Sequence, residues 1–311
     1  MNEIAMRDAF LEKLCNLAEE DRRVILISAD FGAPSLDKFR RNLPGQFISV
    51  GIAEQNMISL AAGLALAGKI PFCYAILPFV TLRCLEQIKV DLCSMNLPVT
   101  LVGVGAGYAY DDSGPTHHGL EDIAVMRGLP NMAIMNASDS IMATSLAEIA
   151  YASPGPKYIR LDRTKDKIDG SWDFTLGLRN LDSIGNDVTI IATGYMVSKA
   201  LRVVESLANH QVDARVVDLY RIKPVSELLL EQIESAQRIV TLEEHFLNGG
   251  IGSIVAEIMV DNNIQRPLKR FGVTDRYSFK YGGREALHRE CGLDLESLEK
   301  EILEWLEQLK R

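Results

Sequence analysis

Cysteine, positive charge and long apolar runs are all scarce in this chain of 311 residues, and each shortage excludes a class of protein. A net charge of -9 disfavours nucleic acid and membranes as partners, because either would need a basic face. We find neither a signal peptide nor an apolar run long enough to span a bilayer. The five cysteines are scattered, without a close CxxC pair, which argues against a disulfide framework or a zinc site; they are Cys15, Cys73, Cys84, Cys93 and Cys291. We therefore expect a soluble protein of the reducing cytoplasm that binds a small ligand or another protein.

Several nucleotide and hydrolase motifs are also missing. No GxGxxG opens a helix after the first predicted strand, and neither a Walker loop nor a GxSxG elbow occurs, which disfavours nucleotide binding and serine hydrolysis. One glycine-rich run, NGGIGS, contains Gly249, Gly250 and Gly252. These glycines either let a helix start pack closely or let its backbone amides meet an anion.

The segments that are present predict an α/β protein. Apolar, strand-like runs such as VILISA, PFCYAI and PVTLVGV alternate with helical patterns, which is typical of a parallel sheet covered by helices on both faces. The alternation fails in a polar, glycine-bearing stretch and then resumes. We therefore predict two doubly wound, mostly parallel-sheet domains, at residues 1–165 and 187–311, with a linker at 166–186.

Candidate functional residues follow the predicted strands, at the edge where open parallel sheets bind ligands. The junction from Ile52 to Glu54, in VGIAEQNM, places a carboxylate at the start of an almost wholly apolar helix. Such an acid either caps the helix, a purely structural use, or serves a ligand. Residues 105–118 end in the doublet His117 and His118, for which the structural alternative is one buried, hydrogen-bonded ring and one exposed ring.

Taken together, four segments resemble one family. In chain order they are GIAEQNM, the aromatic of AILPFV, DDSGPTHHGLEDIAVMRGLPN and GPKYIRLDR. Their order and spacing resemble the C-terminal half of transketolase, and also the related 1-deoxyxylulose-5-phosphate synthase. The resemblance covers essentially the whole chain. It implies a domain that binds the pyrimidine of thiamine diphosphate, followed by the smaller transketolase C-terminal domain.

The resemblance assigns the cofactor-binding residues. Glu54 matches the glutamate that hydrogen-bonds the aminopyrimidine ring and takes part in its activation, and it is therefore also a catalytic residue. Phe79 matches the aromatic that stacks on this ring, although an ordinary core position is its structural alternative. Asp30 matches an acid close to the cofactor, and Ile52 belongs to the same cofactor-binding junction as Glu54.

The resemblance also assigns substrate-binding residues. His117 matches the histidine, counted as catalytic, that contacts substrate oxygens near the reacting carbon. Arg163 and Arg7 match arginines that hold a sugar phosphate, for which the planar guanidinium fork is suited. Arg160 either assists them or pairs with Asp162 or another acid.

Two departures from the family concern the substrate. Ser113 stands where transketolases have an acid that recognises a sugar hydroxyl, so we expect this position to affect sugar preference. Gly105 stands where they have a phosphate-binding histidine. Phosphate recognition is therefore weakened or changed, and a ketose other than the usual pentose phosphates is a candidate substrate.

The family's GDG motif, which holds Mg2+ and the diphosphate, does not occur in this chain. We therefore expect an N-terminal partner subunit that carries GDG and the Mg2+ ligands, in an α2β2 assembly in which this chain dimerises. The leading hypothesis is the C-terminal subunit of a two-chain transketolase that moves a two-carbon ketol unit from a ketose to an aldose. Alternatives are acyl transfer like that of 1-deoxyxylulose-5-phosphate synthase or of the beta chain of a 2-oxoacid dehydrogenase, and a non-catalytic scaffold.

Overall fold

Two sheets, each mostly parallel, organise the chain. The structure is a computed structural model and describes residues 4–29, 34–168, 170, 172–181 and 185–310. In these ranges the strands are β1 (Val24–Ser28), β2 (Phe47–Ser49), β3 (Ile70–Ile76), β4 (Thr100–Val104), β5 (Ala133–Asn136), β6 (Lys157–Leu161), β7 (Arg179–Leu181), β8 (Val188–Ala192), β9 (Ala214–Asp218), β10 (Arg221–Lys223), β11 (Ile239–Phe246) and β12 (Leu268–Val273).

Helices cover both sheets. Within the same described ranges they are α1 (Met6–Glu20), α2 (Asp37–Asn42), α3 (Glu54–Leu66), α4 (Leu77–Val80), α5 (Leu85–Gln87), α6 (Asp122–Arg127), α7 (Ser140–Ala152), α8 (Met196–Ala208), α9 (Leu228–Ser235), α10 (Ile251–Asp261), α11 (Arg284–Cys291) and α12 (Leu295–Gln308), with a π-helix at Ile88–Cys93. None of the helices in the described part of the chain is long and apolar enough to cross a membrane.

The first sheet has the strand order β10-β5-β6-β4-β3-β1-β2, and all of its pairs are parallel except the one between β10 and β5. Every residue of β1, β4 and β6 is buried, as expected for strands covered by helices on both faces. On one face α1 packs against α7, and on the opposite face α3 packs against β3. The chain runs from β1 outward to β2 and then back past β1 to β3. The carboxyl edge at such a switch point is where open parallel sheets commonly bind ligands.

The second sheet has the order β12-β11-β8-β9-β7, in which only the β7–β9 pair is antiparallel. The amphipathic helix α8 packs its apolar face on β9 and also contacts α12. The helix α12 begins after Asp294, whose side chain accepts a hydrogen bond from the Ser297 amide. The predicted fold class, two doubly wound α/β domains with mostly parallel sheets, is confirmed.

Two short strands near the domain boundary extend sheets beyond the predicted domain limits. Strand β7 lies within the segment 166–186 that the sequence predicts to be a linker, and it forms an edge of the second sheet. In the other direction, β10 follows β9 in the chain yet pairs with β5 of the first sheet. The connecting segment is therefore partly built into the second sheet, and the second domain adds a strand to the first sheet.

Candidate functional site

The predicted site residues lie at the carboxyl edge of the first sheet. Glu54 begins α3 shortly after β2, and Phe79 lies in α4 directly after β3. His117 belongs to the loop that follows β4, and Arg163 follows β6 by two residues. The topology therefore brings four separate chain segments to one edge of one sheet.

Glu54 is buried and paired. Its side chain is 3% exposed, and its Oε2 accepts a hydrogen bond from Nη1 of Arg83 at 2.7 Å. The Arg83 guanidinium also lies over the face of Phe79, with its central carbon 4.3 Å from the ring centroid. Glu54 and Phe79 thus hold one planar, positively charged nitrogen group between them, by a hydrogen bond and by stacking.

His117 extends this arrangement on the other side of Phe79. The two rings meet edge to face with their centroids 5.2 Å apart, and the ring of Tyr110 meets His117 in the same way at 6.0 Å. Nδ1 of His117 lies 2.9 Å from the hydroxyl of Thr116. Burial lowers the pKa of His117 below its ordinary value, so the imidazole is neutral at pH 7 and offers both a donor and an acceptor.

Arg163 lies at the far end of the same set of residues. Its guanidinium carbon is 4.7 Å from the centroid of the Tyr110 ring. Arg7 is nearby in the fold, because the Met6 amide donates to the Thr164 carbonyl at 3.0 Å. Arg7 itself donates to the carboxylate of the neighbouring Asp8, at 2.8 and 3.3 Å.

For three other predicted residues the described part of the structure gives no contact with these side chains. Asp30 lies outside the described residues. Ile52 is 73% exposed, at the turn just before α3. Ser113 is also exposed, and its backbone amide donates to the Tyr110 carbonyl at 3.1 Å. Their functional assignments stay predictions.

The site therefore consists of one continuous row of contacting charged and aromatic side chains. Sequence reasoning missed two of its members, Arg83 and Tyr110, which join the predicted residues to one another. Arg83 lies four residues after Phe79 in an irregular helical segment, and Tyr110 lies in a loop, so neither position follows from a periodic pattern. In order, the row is Glu54, Arg83, Phe79, His117, Tyr110 and Arg163.

Arg160 belongs to a buried structural network and not to the row. Its Nε donates to the Asp122 carboxylate at 2.8 Å, and its Nη2 donates to the carbonyls of Gly119 and Glu244. Of the two possibilities open from sequence, the pairing interpretation fits this geometry, with Asp122 as the partner. His118, the second histidine of the doublet, is buried with its ring 4.9 Å from that of Tyr108.

A second buried network, which no sequence motif indicates, joins the two domains. Arg284 donates to both oxygens of Asp162, at 3.1 and 2.7 Å, and to both oxygens of Glu244, at 2.5 and 2.8 Å. His288 also contacts Glu244. Burial alone would raise the pKa of Glu244, but Arg284 and His288 outweigh burial and hold it well below the ordinary range. The Arg284 amide also donates to Asp111, at 2.9 Å, in the loop that carries His117.

The glycine-rich run at the start of α10 binds the side-chain carboxyl group of Glu243, which is an anion once it ionises. Its two oxygens accept hydrogen bonds from the amides of Ile251 and Gly252, at 2.7 and 2.9 Å. A Cβ added at Gly250 would overlap the Glu243 carboxylate. Close packing and anion binding, the two interpretations open from sequence, therefore both describe this helix start.

Glu243 makes a testable contribution to the pH dependence of stability. Burial raises its pKa from an ordinary 4.5 to about 7, although the two amides lower it. Between these values the unfolded carboxyl has lost its proton while the folded one keeps it, so the free energy of unfolding falls as pH rises. Relative to Glu243→Gln, we expect the wild-type protein to lose roughly 3 kcal/mol between pH 4.5 and 7.5 in urea unfolding.

The comparison with the variant removes the contribution of the neighbouring His245, whose pKa is lowered by burial to about 4. Glu257→Gln is the matched control, because Glu257 is an exposed acid on α10, the helix whose first amides donate to Glu243. The control should keep the wild-type pH slope. Equal slopes for Glu243→Gln and the wild-type protein would contradict the role of Glu243.

Two family models match the chain. The model described as "Transketolase, pyrimidine binding domain" matches residues 2–166, and the model described as "Transketolase, C-terminal domain" matches residues 178–298. The first model covers the part of the chain that forms most of the first sheet, and the second covers the part that forms most of the second sheet. Every residue of the row described above lies in the first of the two matched regions.

Individual relatives match over nearly the full chain. The chain is 36% identical to a subunit of the apulose-4-phosphate transketolase of Phocaeicola vulgatus, over 99% of both chains. It is 37% identical to the 6-deoxy-6-sulfo-D-fructose transketolase subunit SqwH of Clostridium sp. strain MSTE9, over 93% of this chain and 90% of the relative. A solved structure described as "Split gene transketolase, inactive beta4 tetramer" superposes with a TM-score of 0.88 at 34% identity, covering 99% of this chain and all of the other.

Proposed function

This chain belongs to the transketolase family, and from that membership we propose that it is the C-terminal subunit of a two-chain transketolase. The reaction is the transfer of a two-carbon ketol unit from a ketose to an aldose, with thiamine diphosphate as cofactor. The two relatives described above, which match over at least 90% of both chains, are themselves subunits, which supports this form of the enzyme.

One observation carries the proposal. Glu54, Phe79, His117 and Arg163, four residues that the family resemblance selects from separate segments, lie in one contiguous row of side chains. A chance resemblance of short motifs would not require them to meet. The row runs from a buried carboxylate at one end to an exposed arginine at the other.

The residues at the carboxylate end fit an aminopyrimidine ring. In this structure Glu54 and Phe79 already hold a planar nitrogen cation, the Arg83 guanidinium, by hydrogen bonding and stacking. A protonated aminopyrimidine makes the same two demands, for a carboxylate in its plane and an aromatic ring on its face. We assign Glu54 and Phe79 to this ring, with Ile52 and Asp30 as further cofactor-binding residues.

When bound, thiamine diphosphate supplies the carbanion chemistry of the reaction. The chain's own residues have the remaining tasks. Glu54, held buried at a rigid helix start, accepts and holds a proton at its carboxylate. His117, kept neutral by burial, binds substrate oxygens through its ring nitrogens. Arg163 and Arg7 bind the negatively charged end of the substrate.

The substrate we infer is a ketose with an anionic group at the end remote from the carbonyl. The names of the two relatives include a sugar phosphate and a sulfonated sugar, and the exposed Arg163 suits either group. Ser113 is the residue we assign to reading a sugar hydroxyl, in place of the acid that the family resemblance leads one to expect.

The partner we infer is an N-terminal subunit that carries the GDG motif and the Mg2+ ligands, in an α2β2 assembly in the cytoplasm. In the part of this chain that the structure describes, no three His, Cys, Asp or Glu residues are grouped so as to hold a metal ion. The five cysteines are free thiols, and four of them are buried, which supports a reducing compartment.

Calorimetry of thiamine diphosphate with Mg2+ tests the proposal. The titration is made with this chain alone and with this chain purified together with its N-terminal partner. We expect binding only in the mixture, followed by ketol transfer from a ketose to an aldose in an activity assay. If the mixture neither binds the cofactor nor transfers ketol units, the transketolase proposal is wrong.

Arg163→Ala tests the assignment at the arginine end of the row. We expect the KM for a phosphorylated ketose to rise about 10-fold or more, because a charge-assisted hydrogen bond to phosphate is lost, with kcat little changed. Lys165→Ala is the matched control, since Lys165 is an exposed cation two residues away. Equal KM values for the two variants would count against Arg163 as an anion ligand.

A further inference from the structure

Gly105 and Tyr110 occupy one space in the site. Gly105 follows β4 with a φ of +97°, and a Cβ placed on it would overlap the Cδ2 and Cε2 atoms of the Tyr110 ring. The ring therefore packs directly on the backbone of residue 105. While the ring stays there, no side chain of any kind at position 105 can reach a substrate.

The same ring contacts both substrate-binding residues of the row. It meets the His117 ring edge to face with centroids 6.0 Å apart, and the Arg163 guanidinium lies over its face at 4.7 Å. Arg163 is exposed, and its Nη1 makes a long hydrogen bond, 3.5 Å, to the Ala109 carbonyl. A free arginine side chain has many rotamers, so stacking on Tyr110 contributes to fixing where this cation lies.

Arg163 and Arg7 differ in the groups that their guanidinium cations contact. Arg7 donates to both oxygens of the Asp8 carboxylate, which neutralises it locally. The carboxylate next to Arg163, that of Asp162, is bound by both terminal nitrogens of Arg284. Stacking uses the face of the Arg163 guanidinium, so its in-plane N–H groups, other than the one that Nη1 donates to the Ala109 carbonyl, can donate to a ligand.

We propose that Tyr110 is a specificity-determining residue of this site: its ring covers Gly105 and holds Arg163 in position to bind a terminal oxyanion, phosphate or sulfonate, of the substrate. The proposal rests on the proposed function for the identity of the substrate as a ketose. It does not rest on that function for the anion site itself, which is a property of this chain.

Anion binding by the full chain tests the site without any catalytic step. Inorganic phosphate and methanesulfonate, the two probes, are titrated into the wild-type protein and its variants by NMR. We expect Tyr110→Leu to weaken binding of the preferred probe about two- to five-fold, the usual size of an exposed cation–π contact. Tyr110→Phe keeps the ring and should retain the affinity.

Gly105→Ala provides a second route to the same result. Its added Cβ displaces the ring, so we expect the same loss of affinity, and no further loss when it is combined with Tyr110→Leu. Thermal unfolding of each variant confirms that it is folded. The proposal is overturned if the wild-type chain binds neither probe, if Tyr110→Leu binds as well as the wild type, or if Tyr110→Phe loses as much as Tyr110→Leu.

Kinetics of the two-subunit enzyme separate this proposal from the proposed function. Tyr110→Leu should raise KM for a phosphorylated or sulfonated ketose, whichever matches the preferred probe, by the same factor as the loss in binding. The KM for an uncharged ketose should change less than that. An equal rise for the uncharged ketose would overturn the specificity role, whereas absence of ketol transfer by the wild-type complex, with the binding results intact, would overturn only the proposed function.

Discussion

Replacing Glu54 by glutamine is expected to lower the ketol-transfer activity of the two-subunit enzyme by about 10²- to 10⁴-fold, the usual contribution of a positioned proton-transfer group. The amide keeps an oxygen that can accept the hydrogen bond of Arg83, so the buried contact survives. An amide cannot take up a proton at neutral pH, so the chemical function is lost. Initial rates at saturating cofactor measure the effect.

Two controls separate this loss from unfolding or loss of the cofactor. Glu86→Gln changes an exposed acid on the short helix α5 and should keep full activity. Calorimetry on Glu54→Gln reports cofactor affinity directly, and we expect it to be weakened. A fully active Glu54→Gln enzyme would show that Glu54 has only a structural role, the alternative considered from sequence.

Replacing Arg284 by methionine is expected to destabilise the protein by about 3–5 kcal/mol, because it leaves two buried carboxylates without their cation. Asp162 and Glu244 are almost fully buried, and the Arg284 side chain is only 12% exposed, so water cannot replace the lost contacts. The methionine keeps much of the apolar stem. The contact also links the two domains, because Asp162 belongs to the first and Arg284 to the second. Urea unfolding at pH 7 measures the change in the free energy of unfolding.

The pH dependence of this effect has a defined sign. The pKa of Glu244 lies well below the ordinary glutamate range in the folded protein, so its contribution to stability is present at neutral pH and is lost as pH falls towards the folded value. The variant should therefore lose less stability in acid than the wild type. Arg276→Met is the control, because Arg276 is 55% exposed and its ion pair with Glu290 is long, at 3.9 Å. A loss below about 1 kcal/mol for Arg284→Met would contradict the buried network.

The fold could be predicted from the sequence because its strands are fully buried. Segments such as Val24–Ser28, Thr100–Val104 and Val188–Ala192 are continuous apolar runs, and such runs in alternation with helices allow few arrangements. Two of the short strands were not predictable. Arg179–Leu181 and Arg221–Lys223 are three residues long and polar at several positions, so only their neighbours in the folded chain make them strands.

The site was predictable only in part, for a related reason. Glu54 and Phe79 stand next to strong strand and helix signals, so their position at the sheet edge followed from the pattern. No strand or helix signal of this strength stands next to Arg83 or Tyr110. Their roles arise from contacts with residues distant in sequence, such as the 2.7 Å bond between Arg83 and Glu54. The same holds for Arg284, which meets Asp162 across 122 positions of the chain.

Strand β10 limits how this protein can recombine with its relatives. A crossover at residues 166–186 would join a foreign second domain to the native first one. The foreign chain would then have to supply the strand whose residues pair with Ile134 and Met135. A mismatched strand would leave β5 as an open sheet edge, which favours aggregation. Recombination with relatives is therefore expected to transfer the two domains together, even though each domain has a sheet of its own.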